Sequence, residues 1–365
     1  MGERIFDKEV ALRDHATVIK KFHPSKRTRT TTSTTKRSVT TAGEPFDIAK
    51  LHRRASFGKE VLTDDYDGVN ELYYRSLSIG TPAQTGLTVD FDTRSSDLWL
   101  PLSTCTGCYG PLFTVTASST YKSSTTKFSI TYEDGSSATG TVATDTVTVA
   151  GLTVAAQGFG APTSGLLGLG FTVNAESGKT PFFINLVNSG ALTSNVFAEY
   201  MARDGTTVSE PCVGCIDSTK YTGAPIYFPL GPSVTDGTQY HWNTPSKGLF
   251  YNGGTSTGAW SAVIDTGTTL FYIPTADAKA FYAKIPGAAS AASTIGTGFY
   301  TYPCSTVLAP ITVEFGNTTV FAVNPLEFNL GAFSRLDLHF AWAGSSSWYS
   351  IFDYANLRVG FAKSV

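Results

Sequence analysis

Two segments of this 365-residue chain repeat the same order of residue types at a constant spacing. They are 90-DFDTRSSDLWLP-101 and 262-AVIDTGTTLFYIP-274, and an offset of 173 residues aligns them. In each segment an apolar run typical of a β-strand leads into Asp-Thr and a further hydroxyl residue. A lone Asp-Thr-Gly is usually a surface turn. Two copies predict two related halves that bring Asp92 and Asp265 together.

Composition favours strands over long helices. The chain has 35 Gly, 17 Pro and 13% aromatic residues, and its short apolar runs are separated by turn-forming residues. Helical patterns are short and lie near residues 181–190 and 275–285. The length is sufficient for two lobes that each bury a core. We therefore predict an all-β, bilobal fold with a few short helices.

Charge is distributed unevenly along the chain. Residues 1–54 hold 13 Lys/Arg and 6 Asp/Glu, whereas the rest holds 14 against 23 and carries a net charge of −9. Nucleic-acid binding would call for a basic folded domain, so no nucleic-acid partner is expected. No run of about 20 apolar residues suggests a membrane span. The first residues show no secretory signal, so either the sequence lacks its true start or the protein stays inside the cell.

The repeated motif predicts a specific chemistry. Two carboxyl groups within hydrogen-bonding reach share one proton, so that one acts as a base and the other as an acid. The base can activate a water for attack on an amide carbonyl while the acid donates to the developing oxyanion. We expect Ser95 and Thr268 to hydrogen-bond the outer carboxylate oxygens. We expect Thr93 and Thr266 to tie the two loops together.

Other hydrolytic chemistries are poorly supplied. Outside residues 1–54 the histidines are His241 and His339, and neither lies in a motif for a Ser-His-Asp triad or a metal site. The CxxC pairs at 105–108 and 212–215 are too far apart for a compact zinc module. They predict local disulfides or buried thiols, with Cys304 left over. We expect no metal and no cofactor.

Two charged residues of the first copy have uncharged counterparts in the second. Arg94 stands where the second copy has Gly267, and Asp90 stands where it has Val263. We expect the Arg94 guanidinium either to enter the carboxylate pair or to turn away at the cost of backbone strain. Asp90 is interpreted as structural and Asp97 as a solvated loop residue.

With these motifs the sequence resembles the pepsin-like aspartic endopeptidases, and fungal secreted acid proteases in particular. The resemblance runs from about Tyr73 to the end of the chain. Its motifs, in the family's order, are YYRSLSIGTPAQ, DFDTRSSDLWLP, SITYEDGSSATG, SGLLGLG, IDSTKYTG, AVIDTGTTLFYIP and FDYANLRVGFA. It implies that Asp92 and Asp265 form a catalytic pair that hydrolyses peptide bonds at acid pH.

The resemblance also implies how a polypeptide substrate binds. Tyr132 corresponds to the tyrosine of a hairpin flap, Trp99 braces it, and the flap tip bonds the peptide backbone. Without the family, both aromatics are packing residues. The substrate-binding residues so implied are Tyr132, Asp134, Gly135, Ser95, Thr268, Gly267 and Trp99.

The domain organisation implied is that of a zymogen. Residues 1–54 are a basic prosegment, largely disordered or covering the acidic cleft, and 55–205 and 206–365 are the N-terminal and C-terminal β lobes. The partners expected are polypeptide substrates and the chain's own prosegment, and the protein is expected to be a monomer. Its location would be extracellular or vacuolar.

Three departures from the family pattern keep a second function open. Arg94 replaces a glycine, Arg75 replaces a small residue, and 329–347 replaces a second apolar-apolar-Gly-Asp strand and the cysteine that would pair with Cys304. Two functions fit: an active aspartic endopeptidase, or a catalytically impaired homologue that binds peptides or proteins through the same cleft.

Overall fold

The computed structural model describes residues 56–59, 63–66, 70–106, 108, 111–131, 137–160, 165–202, 209–233, 236–255, 257–267, 272–316, 319–323, 328, 331–332, 338–340 and 348–365. In this part of the chain the main regular element is the β-strand, and the helices are α1 (Phe182–Asn188), α2 (Thr275–Tyr282) and 3-10 turns at Val115–Ala117 and Thr172–Asn174. The predicted all-β, bilobal fold with a few short helices is confirmed.

The strands are numbered in chain order. They are β1 (Gly58–Lys59), β2 (Thr63–Tyr66), β3 (Asn70–Ile79), β4 (Gln84–Asp92), β5 (Leu98–Trp99), β6 (Lys122–Thr131), β7 (Ser137–Val149), β8 (Leu152–Phe159), β9 (Leu166–Gly168), β10 (Val196–Tyr200), β11 (Glu210–Val213), β12 (Tyr221–Pro229), β13 (Asn243–Tyr251), β14 (Gly254–Thr255), β15 (Trp260–Val263), β16 (Ala289–Ser290), β17 (Tyr300–Pro303), β18 (Ile311–Phe315), β19 (Thr319–Val323), β20 (Gly331–Ala332), β21 (Leu338–Phe340), β22 (Trp348–Asp353) and β23 (Arg358–Ser364).

The first half of the chain forms an eight-stranded sheet. Its order is β5-β9-β4-β3-β7-β6, with β2 added to β3 and β8 added to β7. On β4 the side chains of Leu87, Val89 and Phe91 are buried in the core, as the alternation of a half-buried strand requires. Strand β9 pairs parallel to β4 and sets Gly168 opposite Asp92. The sheet therefore delivers the first aspartate at the end of a buried strand.

The second half forms two smaller sheets. One has the order β14-β13-β18-β19 with β15 paired to β13, and the other has the order β16-β17-β21-β20. Strand β15 leads directly into the second aspartate motif. Of the unusual segment 329–347, the structure describes β20 and β21, and β21 pairs with β20 on one side and with β17 on the other.

A six-stranded antiparallel sheet connects the halves, in the order β1-β11-β10-β22-β23-β12. It combines strands from the start, the middle and the end of the chain. One face carries a packed aromatic cluster, in which Phe197 stacks on Phe352 at 4.6 Å and Trp242 packs edge-on to both. The Trp242 ring also donates from Nε1 to the Leu169 carbonyl at 2.9 Å. This cluster packs beneath the two aspartate motifs and supports them.

The cysteines form two local disulfides, Cys105–Cys108 and Cys212–Cys215. The prediction of local disulfides is confirmed, and the alternative of buried thiols is wrong for these four cysteines. Cys304 belongs to neither disulfide. A search of the described helices finds none with the length and apolar character of a bilayer-spanning segment.

The division into segments 1–54, 55–205 and 206–365 stays a prediction. The proposed prosegment lies outside the described residues.

Candidate active site

The first aspartate is held from both sides. Asp92 is the last residue of β4 and has no exposed surface. Its Oδ1 accepts a hydrogen bond from the Arg94 N–H at 2.9 Å, and its backbone carbonyl accepts one from the Leu169 N–H at 2.8 Å. The loop after β9 therefore fastens the loop after β4 and leaves little freedom to the carboxyl group.

The second aspartate repeats this arrangement. Asp265 follows β15 after one residue and is partly exposed. Its Oδ1 accepts a hydrogen bond from the Gly267 N–H at 3.0 Å. In both loops the backbone N–H two residues further on thus binds the carboxylate, and this contact favours its charged form.

Two threonines join the loops by reciprocal hydrogen bonds. The Thr93 N–H donates to Thr266 Oγ1 at 3.2 Å, and the Thr266 N–H donates to Thr93 Oγ1 at 3.0 Å. The Thr93 hydroxyl donates to the Ile264 carbonyl at 2.8 Å, and the Thr266 hydroxyl donates to the Phe91 carbonyl at 2.7 Å. This threonine tie has an internal twofold relation at the same 173-residue offset as the repeat, and it is the connection that the sequence predicts.

Gly267 packs against the opposite aspartate. A Cβ atom built at this position would lie 2.8 Å from both Cγ and Oδ1 of Asp92. Contacts below about 3 Å do not occur between such atoms, so the second motif needs a residue without a side chain here. The two motifs are therefore in direct contact, with the Asp92 carboxyl group against the backbone of the second loop.

Arg94 does not distort the first loop. Its N–H still reaches Asp92, and the residue is not among the described residues with a left-handed backbone conformation. Its carbonyl accepts a hydrogen bond from Asn174 Nδ2 at 3.1 Å. The expected alternative of backbone strain is therefore wrong, because the backbone N–H makes the motif's hydrogen bond whatever side chain it carries.

The structure describes two further predicted site residues, Trp99 and Ser95. Trp99 is buried in the first lobe, where β5 pairs with β9. The Ser95 hydroxyl is enclosed and makes no hydrogen bond in the described part of the chain, so the expected bond to the Asp92 carboxylate is not formed. The Ser95 backbone is instead held through its carbonyl, which accepts from the Gly170 N–H at 2.8 Å.

Four predicted substrate-binding residues lie outside the described residues, namely Tyr132, Asp134, Gly135 and Thr268. The hairpin arms that lead to the first three, β6 and β7, are described and pair antiparallel up to the contact of Thr131 with Ser137. The roles of these four residues stay predictions.

Asp97 corrects an expectation. It was expected to be solvated, but it is 4% exposed, and its carboxylate accepts from the N–H groups of Glu176 and Ser177 at 2.7 and 3.1 Å. Burial raises the pKa of Asp97, and these hydrogen bonds offset part of the rise. The chain turns tightly here, since a Cβ on Gly168 would lie 2.5 Å from the Asp97 nitrogen. Asp97 therefore braces the loop that carries Asp92.

Two titratable residues near the pair were not predicted from the sequence. Glu199 on β10 is 1% exposed, and burial raises its pKa well above the usual value, with Asp90 and Asp92 raising it further. Burial lowers the pKa of His241, and the Arg94 guanidinium lowers it further. The one sequence signal for Glu199 is an acid within the apolar run 196-VFAEY-200.

Among the described residues, no three His, Cys, Asp or Glu side chains come together as ligands would. The carboxyl groups of Asp92 and Asp265 are anchored on loops that bind each other.

Comparison with known proteins gives consistent results. Residues 72–336 match the family model described as eukaryotic aspartyl protease. The chain is 40% identical over 347 residues to an aspartic protease of Phaffia rhodozyma, which covers 87% of this chain and 82% of that protein. It is 34% identical to embryonic pepsinogen of Gallus gallus, with 80% of each chain covered. It is 36% identical to endothiapepsin of Cryphonectria parasitica, covering 71% of this chain and 63% of that protein.

Proposed function

The chain belongs to the eukaryotic aspartyl protease family, and from this premise we propose that it is an aspartic endopeptidase that works at acid pH. Asp92 and Asp265 are its catalytic residues. A water between the two carboxyl groups is the nucleophile, as the chemistry of a proton-sharing pair requires. Polypeptides are its substrates.

In this proposal the ionised carboxylate takes a proton from the water, and the water oxygen attacks the carbonyl carbon of the peptide bond. The protonated carboxyl group donates its proton to the carbonyl oxygen as the tetrahedral intermediate forms. Collapse of the intermediate breaks the C–N bond when the amine leaves with a proton from one carboxyl group, and a hydroxyl of the intermediate returns its proton to the other carboxylate as the C=O bond re-forms. The aspartates finish with one shared proton, so the cycle can repeat.

The observation that carries the proposal is the threonine tie between the two motifs. The four hydrogen bonds of Thr93 and Thr266 fix the loops to each other, and each aspartate is fixed to its own loop by one backbone N–H. Such preorganisation lowers the cost of holding water and substrate in a reactive geometry. The loops belong to opposite halves of the chain, which supports a single shared site.

We also propose a zymogen with a flap. The basic segment 1–54 and the acidic remainder are complementary in charge, and protonation of carboxylates would release such a segment at low pH. The hairpin of β6 and β7 supports a flap in which Tyr132, Asp134 and Gly135 contact the substrate. An extracellular or vacuolar location follows from acid activation, and we propose a monomer.

The alternative of a catalytically impaired binding protein is less well supported. It depended in part on Arg94 distorting the first motif, yet the Arg94 N–H makes the same hydrogen bond as the Gly267 N–H. The relatives with substantial identity are also named as proteases.

Cleavage of a denatured protein at acid pH tests the proposal. We expect the full chain to cleave it and a statine-type transition-state mimic to inhibit it. Asp92→Asn and Asp265→Asn should each reduce the rate by more than about 10²-fold, since each removes one half of the proton-sharing pair. Asp236→Asn, at a fully exposed position, is the matched control and should cleave normally. Substantial turnover in either catalytic variant would contradict the proposal.

A further inference from the structure

A buried glutamate lies beneath the threonine tie and has no role in the mechanism above. Glu199 lies in the middle of the central sheet, where β10 pairs with β11 and β22 and sets Glu199 opposite Pro211 and Ser350. Phe197 on the same face belongs to the aromatic cluster under the motifs. The side chain therefore points from the sheet towards the two aspartate loops.

The surroundings of Glu199 are acidic. The groups that face its carboxyl are the Thr266 hydroxyl and the carboxylates of Asp90, Asp92 and Asp265. In the described part of the chain no basic side chain forms an ion pair with it. A buried carboxylate without a cation, close to other carboxylates, is disfavoured relative to the neutral acid. The surroundings therefore favour the neutral acid.

The existing hydrogen bonds of Thr266 determine whether its hydroxyl can donate to Glu199 or only accept from it. A hydroxyl has one proton and two acceptor lone pairs. The Thr266 proton goes to the Phe91 carbonyl, and one lone pair accepts from the Thr93 N–H. The remaining lone pair can only accept, so a partner at this position must be a donor. A protonated Glu199 supplies that donor, whereas an ionised Glu199 would face the oxygen with another acceptor.

In the present conformation the two groups are adjacent without meeting the geometric requirements of a hydrogen bond. Neither Glu199 oxygen has a hydrogen-bond partner among the described residues, and both are enclosed. A side-chain torsion change within its rotamer well is enough to move a terminal carboxyl oxygen by several tenths of an ångström. Leaving such a group unsatisfied in a buried place is unfavourable, which favours completing the bond.

We propose that Glu199 is a third acidic group of the active site, a neutral acid that positions the Asp265 loop by donating its proton to the Thr266 hydroxyl. Glu199 is a positioning residue and takes no part in bond breaking. Ionisation would remove the donor and add a negative charge below the pair, so the tie would loosen as the pH rises. The proposal extends the proposed function, but the protonation state of Glu199 can be measured whether or not the protein is active.

Infrared difference spectroscopy on the full chain tests the proton directly. At about pH 6, where an ordinary glutamate is ionised, subtracting the spectrum of Glu199→Gln from that of the wild type should reveal the C=O stretch of one buried, protonated carboxyl group. Glu176→Gln changes an exposed glutamate in the same way and should give no such band. A difference spectrum that shows ionised carboxylate at Glu199 would overturn the proposal.

The pH dependence of unfolding gives a second, activity-independent readout. The pKa of Glu199 is raised in the folded state, so the folded protein binds more protons than the unfolded chain above about pH 4, and stability falls as the pH rises towards the folded-state pKa. Glu199→Gln should flatten this fall in the unfolding midpoint, and Glu176→Gln should not. Parallel curves for wild type and Glu199→Gln would contradict the proposal.

Kinetics distinguish positioning from simple packing. Glu199→Ala removes the donor and should lower kcat more than it raises KM, whereas Glu199→Gln retains an N–H donor of the same length and should restore most of kcat. An equal loss of kcat in both variants would show that donation to Thr266 is not the role of Glu199. If the protein proves to have no peptidase activity, the proposed function fails, while the infrared and unfolding measurements still determine whether Glu199 is protonated.

Discussion

The two aspartate loops share one hydrogen-bond pattern but are held by different surroundings. In each loop a backbone N–H donates to the loop's own aspartate carboxylate, and a threonine forms hydrogen bonds with the other loop. The first loop is also braced within its own lobe by the parallel strand β9 and by Asn174. In the described residues, β15 before the second loop pairs with β13 alone.

The residue at the third position of the motif also differs between the two loops. Gly267 packs against the Asp92 carboxyl group and has no room for a side chain. Arg94 occupies the corresponding place in the first loop and forms the same hydrogen bond to its own aspartate. The essential contribution of this position is therefore the backbone N–H. The absence of a side chain matters only where the other loop closes over it.

Gly267→Ala should have the largest effect, because its methyl group would force Asp92 and the second loop apart. A displacement of about 1 Å in a catalytic group can cost about 10²-fold in rate, and we expect a loss of that order in kcat. Gly258→Ala is the matched control, since a Cβ there meets only ordinary contacts at 3.8 Å or more. An active Gly267→Ala enzyme would show that the two loops are not in contact.

Removing the threonine hydroxyls should have the second-largest effect and should show how much each threonine contributes to the tie. Thr93→Val and Thr266→Val each leave a buried N–H and a buried carbonyl without their partner, which costs about 1–3 kcal/mol. Because Glu199 also faces Thr266, we expect Thr266→Val to be the more destabilising of the two. Chemical denaturation at acid pH measures both free energies of unfolding, and a change below about 0.5 kcal/mol in either would contradict the tie.

Arg94→Gly should have the smallest effect. The loop geometry is already normal, so the expected gain comes only from removing a cation that favours full ionisation of the pair, and we predict an increase in kcat/KM of about tenfold or less. A variant no faster than the wild type at any acid pH would show that the guanidinium does not act on the pair.

The same variant reports the position of the guanidinium through His241. Arg94 helps to lower the pKa of His241, so Arg94→Gly should raise that pKa towards its usual value while burial continues to hold it down. Nuclear magnetic resonance titration of the ring measures the shift. An unchanged His241 pKa would show that the Arg94 side chain points away from the site.

The repeat in the sequence was sufficient to predict the threonine connection between the two aspartate loops, because a shared offset implies related halves. Strand alternation likewise predicted a β protein. The hydrogen bond expected of Ser95 and the exposure expected of Asp97 were wrong, because both depend on how the loop near Gly168 and Gly170 closes over them.

Glu199 and His241 could not be predicted to lie near the site, because tertiary contacts alone bring them there. Glu199 is more than 60 residues from the second motif along the chain, and β10 carries it under that loop through the central sheet. An acid within an apolar strand is a signal that something unusual is buried, but it does not reveal the partner.

A double-mutant cycle on the two aspartates tests whether both loops form one proton-sharing site. The rates of Asp92→Asn, Asp265→Asn and the double variant would be measured on the same denatured substrate at acid pH. Groups that act as one unit give strongly non-additive losses, so we predict that the double variant is about as slow as either single variant. Losses that multiply, or one single variant that retains most of its activity, would contradict a shared site.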